Sequence, residues 1–116
     1  MTTEHIEKPW GSETLIADEP TYGCKLLSVT HGHRLSLQRH QLRDETWYVL
    51  KGKAYVTIET TKLVLRPGRI VQVPRNVWHR LGAVESDVQI IEVTSGYVEG
   101  DIERKEDDYG RKGKAD

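Results

Sequence analysis

Short runs of alternating apolar and polar residues, separated by turn residues, most strongly limit what this chain can fold into. From Ala54 to Glu59 the even positions are apolar, a period of two that predicts a strand with one buried face. Turn signals at residues 51–52 and 66–68 end such runs. Candidate strands cover residues 24–29, 35–39, 46–50, 53–60, 63–66, 70–73, 77–81 and 88–94. This spacing predicts an all-β sandwich or closed barrel rather than a parallel sheet with helices.

Composition excludes several classes of protein. The 116 residues fit one domain, 36% of them are hydrophobic, and 17 basic residues nearly balance 18 acidic ones. This balance gives no reason to expect nucleic acid or a membrane as a partner. The N-terminus has no basic-then-apolar signal segment, and one cysteine, Cys24, excludes an internal disulfide. We therefore expect a cytoplasmic location.

Two segments depart from the strand pattern. Residues 1–13 are polar and predict an N-terminal arm that packs on the barrel through Trp10. Residues 99–116 are dense in charge, and the end from Lys112 onward is expected to be frayed. The predicted organisation is therefore an arm at 1–13, a barrel at 14–98 and a charged C-terminal segment at 99–116.

Four residues predict a metal site. Gln38 and His40 are two apart, so an extended strand directs both side chains to the same face. Glu45 follows after a short turn, and His79 would return from a later strand. Two imidazoles, one carboxylate and one amide oxygen suit a divalent metal. Trp47 shares the face of Glu45 and is either a wall beside the metal or a core aromatic.

The main rival ligands are His31 and His33, which also lie two apart. If the strand continues without a bulge into the predicted ligands, odd positions face away from even ones. These two histidines should then point outward or lie in the turn. Asn76 is expected at a turn that needs a left-handed backbone, which asparagine tolerates.

A neutral glutamine ligand affects the chemistry that the site can support. With one anionic ligand the metal keeps much of its positive charge and can act as a Lewis acid on a carbonyl or enediolate oxygen. Two histidines and one carboxylate also form the ligand set of non-haem iron oxygenases, so redox chemistry stays open.

These ligands belong to two spaced motifs, Gly32 to Gly52 and Gly68 to His79, which resemble those of the cupin superfamily with Gln38 in place of the first histidine. Further matching positions are residues 8–11, 35–40, 43, 45, 47, 79–80, 92–93, 100–104 and 107–111. Through the two motifs and these further positions, the chain resembles the type II phosphomannose isomerase domain found at the C-terminus of bifunctional mannose-1-phosphate guanylyltransferases. No nucleotidyltransferase domain is seen, so guanylyl transfer is not implied.

The resemblance implies a cupin-type double-stranded β-helix, or jelly-roll barrel, and a metal-dependent isomerase that converts mannose 6-phosphate to fructose 6-phosphate. It implies a divalent metal, zinc first and manganese, iron, nickel or cobalt as alternatives, and a homodimer. Basic residues would contact the sugar phosphate, because arginine suits bidentate phosphate binding. The candidates are Lys25, Arg43, Arg80 and Arg104.

The sequence leaves the proton-transferring base open. Glu92, Lys25 and Tyr48 are all possible. Tyr109 is read as an anchor or lid rather than a catalytic residue. Two other functions also stay open: a non-catalytic metal-containing cupin that binds a sugar or metabolite, and a cupin dioxygenase.

Overall fold

The computed structural model describes residues 4–96 and 100–114 and contains only strands, turns and loops there. No helix among these residues is long and apolar enough to cross a membrane. The strands are β1 (Glu4–Lys8), β2 (Gly11–Glu19), β3 (Tyr22–Val29), β4 (Leu37–Arg39), β5 (Glu45–Lys51), β6 (Ala54–Ile58), β7 (Thr61–Leu65), β8 (Ile70–Val73), β9 (His79–Gly82), β10 (Val88–Thr94), β11 (Glu103–Glu106) and β12 (Gly113–Lys114).

Two six-stranded antiparallel sheets form the molecule. The first has the order β1-β2-β3-β10-β5-β8, and the second has the order β12-β11-β4-β9-β6-β7. Strands that are distant in sequence are therefore neighbours, as in β10 between β3 and β5. This all-β architecture confirms the predicted fold class.

Alternating burial confirms the face assignments made from sequence. In β6, Ala54 and Val56 are buried while Tyr55 between them is half-buried. In β5, Glu45, Trp47 and Val49 are buried on one face. The apolar members of these inward faces join a single core between the sheets. The core residues are Trp10, Leu27, Val29, Leu35, Trp47, Val49, Ala54, Val56, Val73, Leu81, Ala83, Val88 and Ile90.

Left-handed backbone occurs where turns were expected. Asn76 has a φ of 64°, which confirms its predicted conformation. Gly52 has a φ of 78°, and a Cβ at this position would collide with the carbonyl oxygen of Asp87. Glycine is therefore required there both by the backbone angle and by the close approach of another loop.

The two terminal segments are more regular than the sequence indicated. The segment expected to be an arm forms the hairpin β1–β2, which extends the first sheet, and Trp10 is buried as expected. At the other end β11 pairs with β4, and β12 pairs with β11 where a frayed end was expected. The proposed boundaries at residues 13 and 98 stay predictions, and positions 1–3, 97–99 and 115–116 lie outside the described residues.

Candidate metal centre

The two sheets bring the predicted ligands together near one end of the core. Gln38 on β4 lies directly opposite His79 on β9 in the second sheet. His40 follows β4, and Glu45 begins β5 in the first sheet. One ligand atom from each of His40, Glu45 and His79 lies within 4.8 Å of the other two. All three side chains are buried, so the cluster is a preformed site between the sheets.

Backbone hydrogen bonds orient both imidazoles. The Nδ1 of His40 lies 2.6 Å from the carbonyl oxygen of Asp101, and the Nδ1 of His79 lies 2.9 Å from that of Val77. Because a carbonyl only accepts, each Nδ1 carries the proton and each Nε2 keeps its lone pair. The Nε2 of His79 is buried and has no hydrogen-bond partner among the described residues. An imidazole held in this way has its Nε2 oriented to bind a metal ion.

Glu45 faces both imidazoles as an ionised carboxylate. Its Oε2 lies 3.0 Å from the Nε2 of His40, and its Oε1 lies 3.8 Å from that of His79. Trp47 donates its indole N–H to Oε1, and Arg43 donates its Nε hydrogen to Oε2. Burial raises the pKa of Glu45, but its polar and charged neighbours, Arg43 among them, hold this pKa well below its usual value.

His79 is a neutral imidazole. Burial lowers the pKa of His79 to about 4, against the opposing effect of the Glu45 carboxylate. The edge of this imidazole packs against Trp47, whose ring centroid lies 5.6 Å away. Trp47 therefore satisfies both alternatives, since it is a core aromatic that also forms a wall of the centre.

Gln38 lies beside the cluster with its amide nitrogen 3.5 Å from the Nε2 of His40. Its Oε1 accepts a hydrogen bond from the Ser36 hydroxyl, at 2.7 Å. A half-turn of the amide would direct Oε1 towards the imidazoles, and the Ser36 hydroxyl can accept as well as donate. Gln38 is thus close enough to act as a fourth ligand after this rotation.

The donor set fits a divalent transition metal. Two neutral imidazole nitrogens and one ionised carboxylate match the ligands preferred by zinc and its neighbours. The unpaired buried Nε2 of His79 is the clearest sign, because a buried polar atom without a partner costs free energy unless a ligand satisfies it. His40, Glu45 and His79 would hold the ion.

The two rival histidines do not join this cluster. His31 is exposed, and its Nε2 lies 3.1 Å from the carbonyl oxygen of Val84. His33 is hydrogen-bonded through Nδ1 to the Tyr109 hydroxyl, at 2.8 Å. Tyr109 also packs against the core, so its position favours the anchoring role expected for it.

A cavity of about 400 Å³ lies next to the cluster. Gln38 and Arg43, which both contact His40, form part of its wall. The wall combines five acidic and five basic residues with a few apolar side chains. The charged wall residues are Glu4, Lys8, Glu13, Asp18, Lys25, Arg43, Glu92, Asp101, Arg104 and Arg111.

Three of the four predicted substrate contacts line this cavity. The three residues in the cavity wall are Lys25, Arg43 and Arg104. Lys25 also forms an ion pair with Glu13 at 3.3 Å. Arg80 does not line the cavity. It donates to the Leu35 carbonyl and forms an ion pair with Glu106, facing a second cavity on the other side of the sheet. Its contacts are therefore those of a residue that fastens β9 to the C-terminal segment.

The structure separates the three candidates for proton transfer. Tyr48 is 41% exposed and projects from the outer face of the first sheet, away from the cavity. Lys25 and Glu92 lie opposite each other on β3 and β10, and both line the cavity. Burial and the neighbouring Glu45 carboxylate raise the pKa of Glu92 well above its usual value. Lys25 and Glu92 remain in position for proton transfer.

The sequence did not reveal several residues of this region. Lys8, Glu13 and Arg111 line the cavity, and Asp101 holds His40. Their places follow from the hairpin β1–β2 and from the return of the C-terminal segment to β4. Lys8, Asp101 and Arg111 lie in segments that match the family in sequence, but this match gave them no role in the site.

Comparison with protein families gives a match over nearly the whole chain. The family described as mannose-6-phosphate isomerase C-terminal matches residues 1–107. The alginate biosynthesis protein AlgA of Pseudomonas aeruginosa is 40% identical over 115 residues, which cover 95% of this chain and 24% of AlgA. A mannose-1-phosphate guanylyltransferase of Salmonella montevideo is 34% identical over 114 residues, covering 96% of this chain and 24% of that enzyme. The chain thus spans about a quarter of the length of these relatives.

Solved structures confirm the barrel type. KdgF from a Halomonas species superposes with a TM-score of 0.75 at 22% identity, covering 83% of this chain and 88% of KdgF. An RmlC-like cupin from Shewanella frigidimarina has a TM-score of 0.74 at 18% identity, covering 84% of this chain and 86% of that one. At these identities the likeness supports the cupin fold alone.

Proposed function

The chain belongs to the family of mannose-6-phosphate isomerase C-terminal domains, and we propose that it is a metal-dependent aldose–ketose isomerase acting on a sugar phosphate. Mannose 6-phosphate and fructose 6-phosphate are the proposed pair. The observation that carries this proposal is the position of the buried cluster of His40, Glu45 and His79 beside a charged cavity of about 400 Å³. The reaction needs a base, positive charge at the reacting oxygens and cations for the phosphate.

Cations in the cavity wall are the proposed phosphate contacts. Lys25, Arg43 and Arg104 line the cavity, and a guanidinium binds two phosphate oxygens at once. Arg43 also touches Glu45 and His40, so it would hold substrate close to the metal ligands. Acidic wall residues such as Glu13 and Asp18 would accept hydrogen bonds from sugar hydroxyls.

Glu92 is the proposed proton carrier. Its carboxyl group is buried, lines the cavity and lies one strand away from Glu45 in the same sheet. In the proposed reaction its ionised carboxylate accepts the proton from C2 of the aldose and returns this proton to C1, while the hydroxyl proton on O2 passes to O1, so that the enediol becomes the ketose. A bound divalent ion would supply positive charge to the oxygens that become anionic during this transfer. Zinc is the first choice for that ion.

Metal analysis combined with a coupled assay tests the proposal. The purified chain is expected to contain a stoichiometric divalent metal and to convert mannose 6-phosphate to fructose 6-phosphate, with loss of turnover after chelation and recovery on adding metal back. Binding of sugar phosphate without turnover would contradict the isomerase and support a binding protein. Bound iron with oxygen consumption would support a dioxygenase instead.

We also propose that two copies of the chain associate through the outer face of the first sheet. This face presents Tyr48, Leu50, Ile70 and Val93, each at least 41% exposed. Tyr48 lies opposite Ile70 on β8, so these uncharged side chains form one surface. A second copy would meet the same uncharged surface without like-charge repulsion.

Light scattering after size exclusion tests this association. The wild-type chain is expected to have twice the monomer mass, and Ile70→Glu is expected to shift it to the monomer because two charges would face the apolar surface. Val84→Glu is the control, since Val84 is 58% exposed but lies in the loop between β9 and β10. A monomeric wild type, or an Ile70→Glu dimer, would contradict the proposal.

A further inference from the structure

The C-terminal segment returns to the candidate metal centre. Strand β11 pairs with β4, and Arg104 lies opposite Gln38 in this pairing. Arg39 and Glu103 on the same two strands form an ion pair at 2.8 Å. The residues just before β11 are therefore held against the end of β4, where His40 begins the connection to Glu45.

Asp101 contacts three consecutive residues of that connection. Its backbone carbonyl accepts the Nδ1 hydrogen of His40 at 2.6 Å. Its carboxylate accepts the backbone N–H of Gln41 through Oδ1 at 2.8 Å and that of Leu42 through Oδ2 at 3.0 Å. A single residue thus fixes both the imidazole and the backbone that carries it.

We propose that Asp101 is a positioning residue for the metal centre. The carbonyl of Asp101 selects the tautomer in which His40 offers Nε2 to a metal, and its carboxylate anchors the loop between His40 and Glu45. Residues that hold metal-bound histidines typically change metal affinity by about 10–100-fold when they are lost. This inference rests on the metal centre of the proposed function but not on the identity of the reaction.

The carboxylate of Asp101 makes the inference testable by mutation. A substitution cannot delete the backbone carbonyl, but Asp101→Ala removes both anchors that hold this carbonyl against the imidazole. Asp101→Asn keeps one acceptor oxygen and gives an intermediate case. The matched control is Asp87→Ala, because the Asp87 carboxylate also accepts a backbone N–H from another loop, that of His31 at 2.8 Å, and neither residue belongs to the ligand cluster.

Zinc affinity is measured by competition with a chromophoric chelator, and the His40 tautomer is followed by long-range ¹H–¹⁵N spectra of the ring. We expect Asp101→Ala to bind zinc about 10–100-fold more weakly, Asp101→Asn to lose less, and Asp87→Ala to match wild type. The His40 spectrum should change from one tautomer to a mixture only in the Asp101 variants. If Asp101→Ala does not fold, Asp101→Asn alone must still show weaker binding.

Wild-type zinc affinity in both folded Asp101 variants, with an unchanged His40 tautomer, would overturn the inference. An equal loss in Asp87→Ala would also overturn it, since the effect would then be a general loss of stability. The proposed function fails separately, if the wild-type chain binds zinc tightly but does not isomerise a sugar phosphate.

Discussion

Replacing His79 by leucine is expected to lower metal affinity about 100-fold or more, because the variant loses a bond to the metal. Loss of a residue that only hydrogen-bonds a metal ligand already lowers metal affinity by about 10–100-fold. At a metal concentration near 100 times the wild-type Kd, a 100-fold loss of affinity lowers the metal-dependent stabilisation from about 2.7 to about 0.4 kcal/mol. Turnover should fall with metal occupancy. Thermal unfolding with and without zinc, together with chelator competition, measures the effect.

In the presence of a chelator the same variant should lose only about 1 kcal/mol of stability, the usual net contribution of a hydrogen bond such as that from Nδ1 of His79 to the Val77 carbonyl. Leucine fills a similar volume, and it removes a buried Nε2 that has no hydrogen-bond partner among the described residues. Glu45 keeps hydrogen bonds from Arg43 and Trp47. His31→Leu is the control, since His31 is exposed and lies outside the ligand cluster. A His79→Leu variant that retains wild-type metal affinity would exclude His79 as a ligand.

Local sequence pattern was enough to identify the inner faces of several strands. Glu45 shares the inward face of β5 with Trp47 and Val49 because side-chain direction in a strand repeats every two residues. His31 and His33 lie outside the ligand cluster as predicted, although they lie in the connection between β3 and β4 and not on one continuous strand. Alternation along a strand does not show which strands pair with each other. The pairing of β4 with β9, which places Gln38 opposite His79, is therefore seen only in the structure.

Strand β2 shows why the N-terminal hairpin was not predicted. Residues 11–15 are all half-buried, so burial has no period of two over the first half of this strand. A register shift between Leu15 and Ala17 also interrupts the alternation with β3. In sequence such a strand resembles a polar arm, although it covers one side of the cavity.

Strand β11 escaped prediction for a different reason. Its residues, Glu103–Glu106, are all charged, and a charged run at the end of a chain usually remains in solvent. Here backbone pairing with β4 and the ion pair between Arg39 and Glu103 order the segment. The same pairing brings Arg104 to the cavity, whereas Arg80, on β9, is turned to the opposite side of the sheet.

Replacing Glu92 by glutamine is expected to lower turnover about 10²–10⁴-fold, the usual contribution of a positioned acid–base group. Glutamine has nearly the same shape and can donate a hydrogen bond to Glu45, so metal content and sugar-phosphate affinity should stay within a few-fold of wild type. Steady-state kinetics with metal analysis separates these quantities, and exchange of substrate hydrogen with deuterated water should fall together with isomerisation.

The informative comparison is with Glu13→Gln. Glu13 also lines the cavity and forms ion pairs with Lys8 and Lys25, but it lies on β2, away from the metal ligands. Its loss should weaken substrate binding and leave turnover within about tenfold, below the range of a proton-transferring group. If Glu92→Gln turns over within a few-fold of wild type, or loses its metal, Glu92 is not the proton carrier. Lys25 then becomes the remaining candidate, because it faces the same cavity from the neighbouring strand.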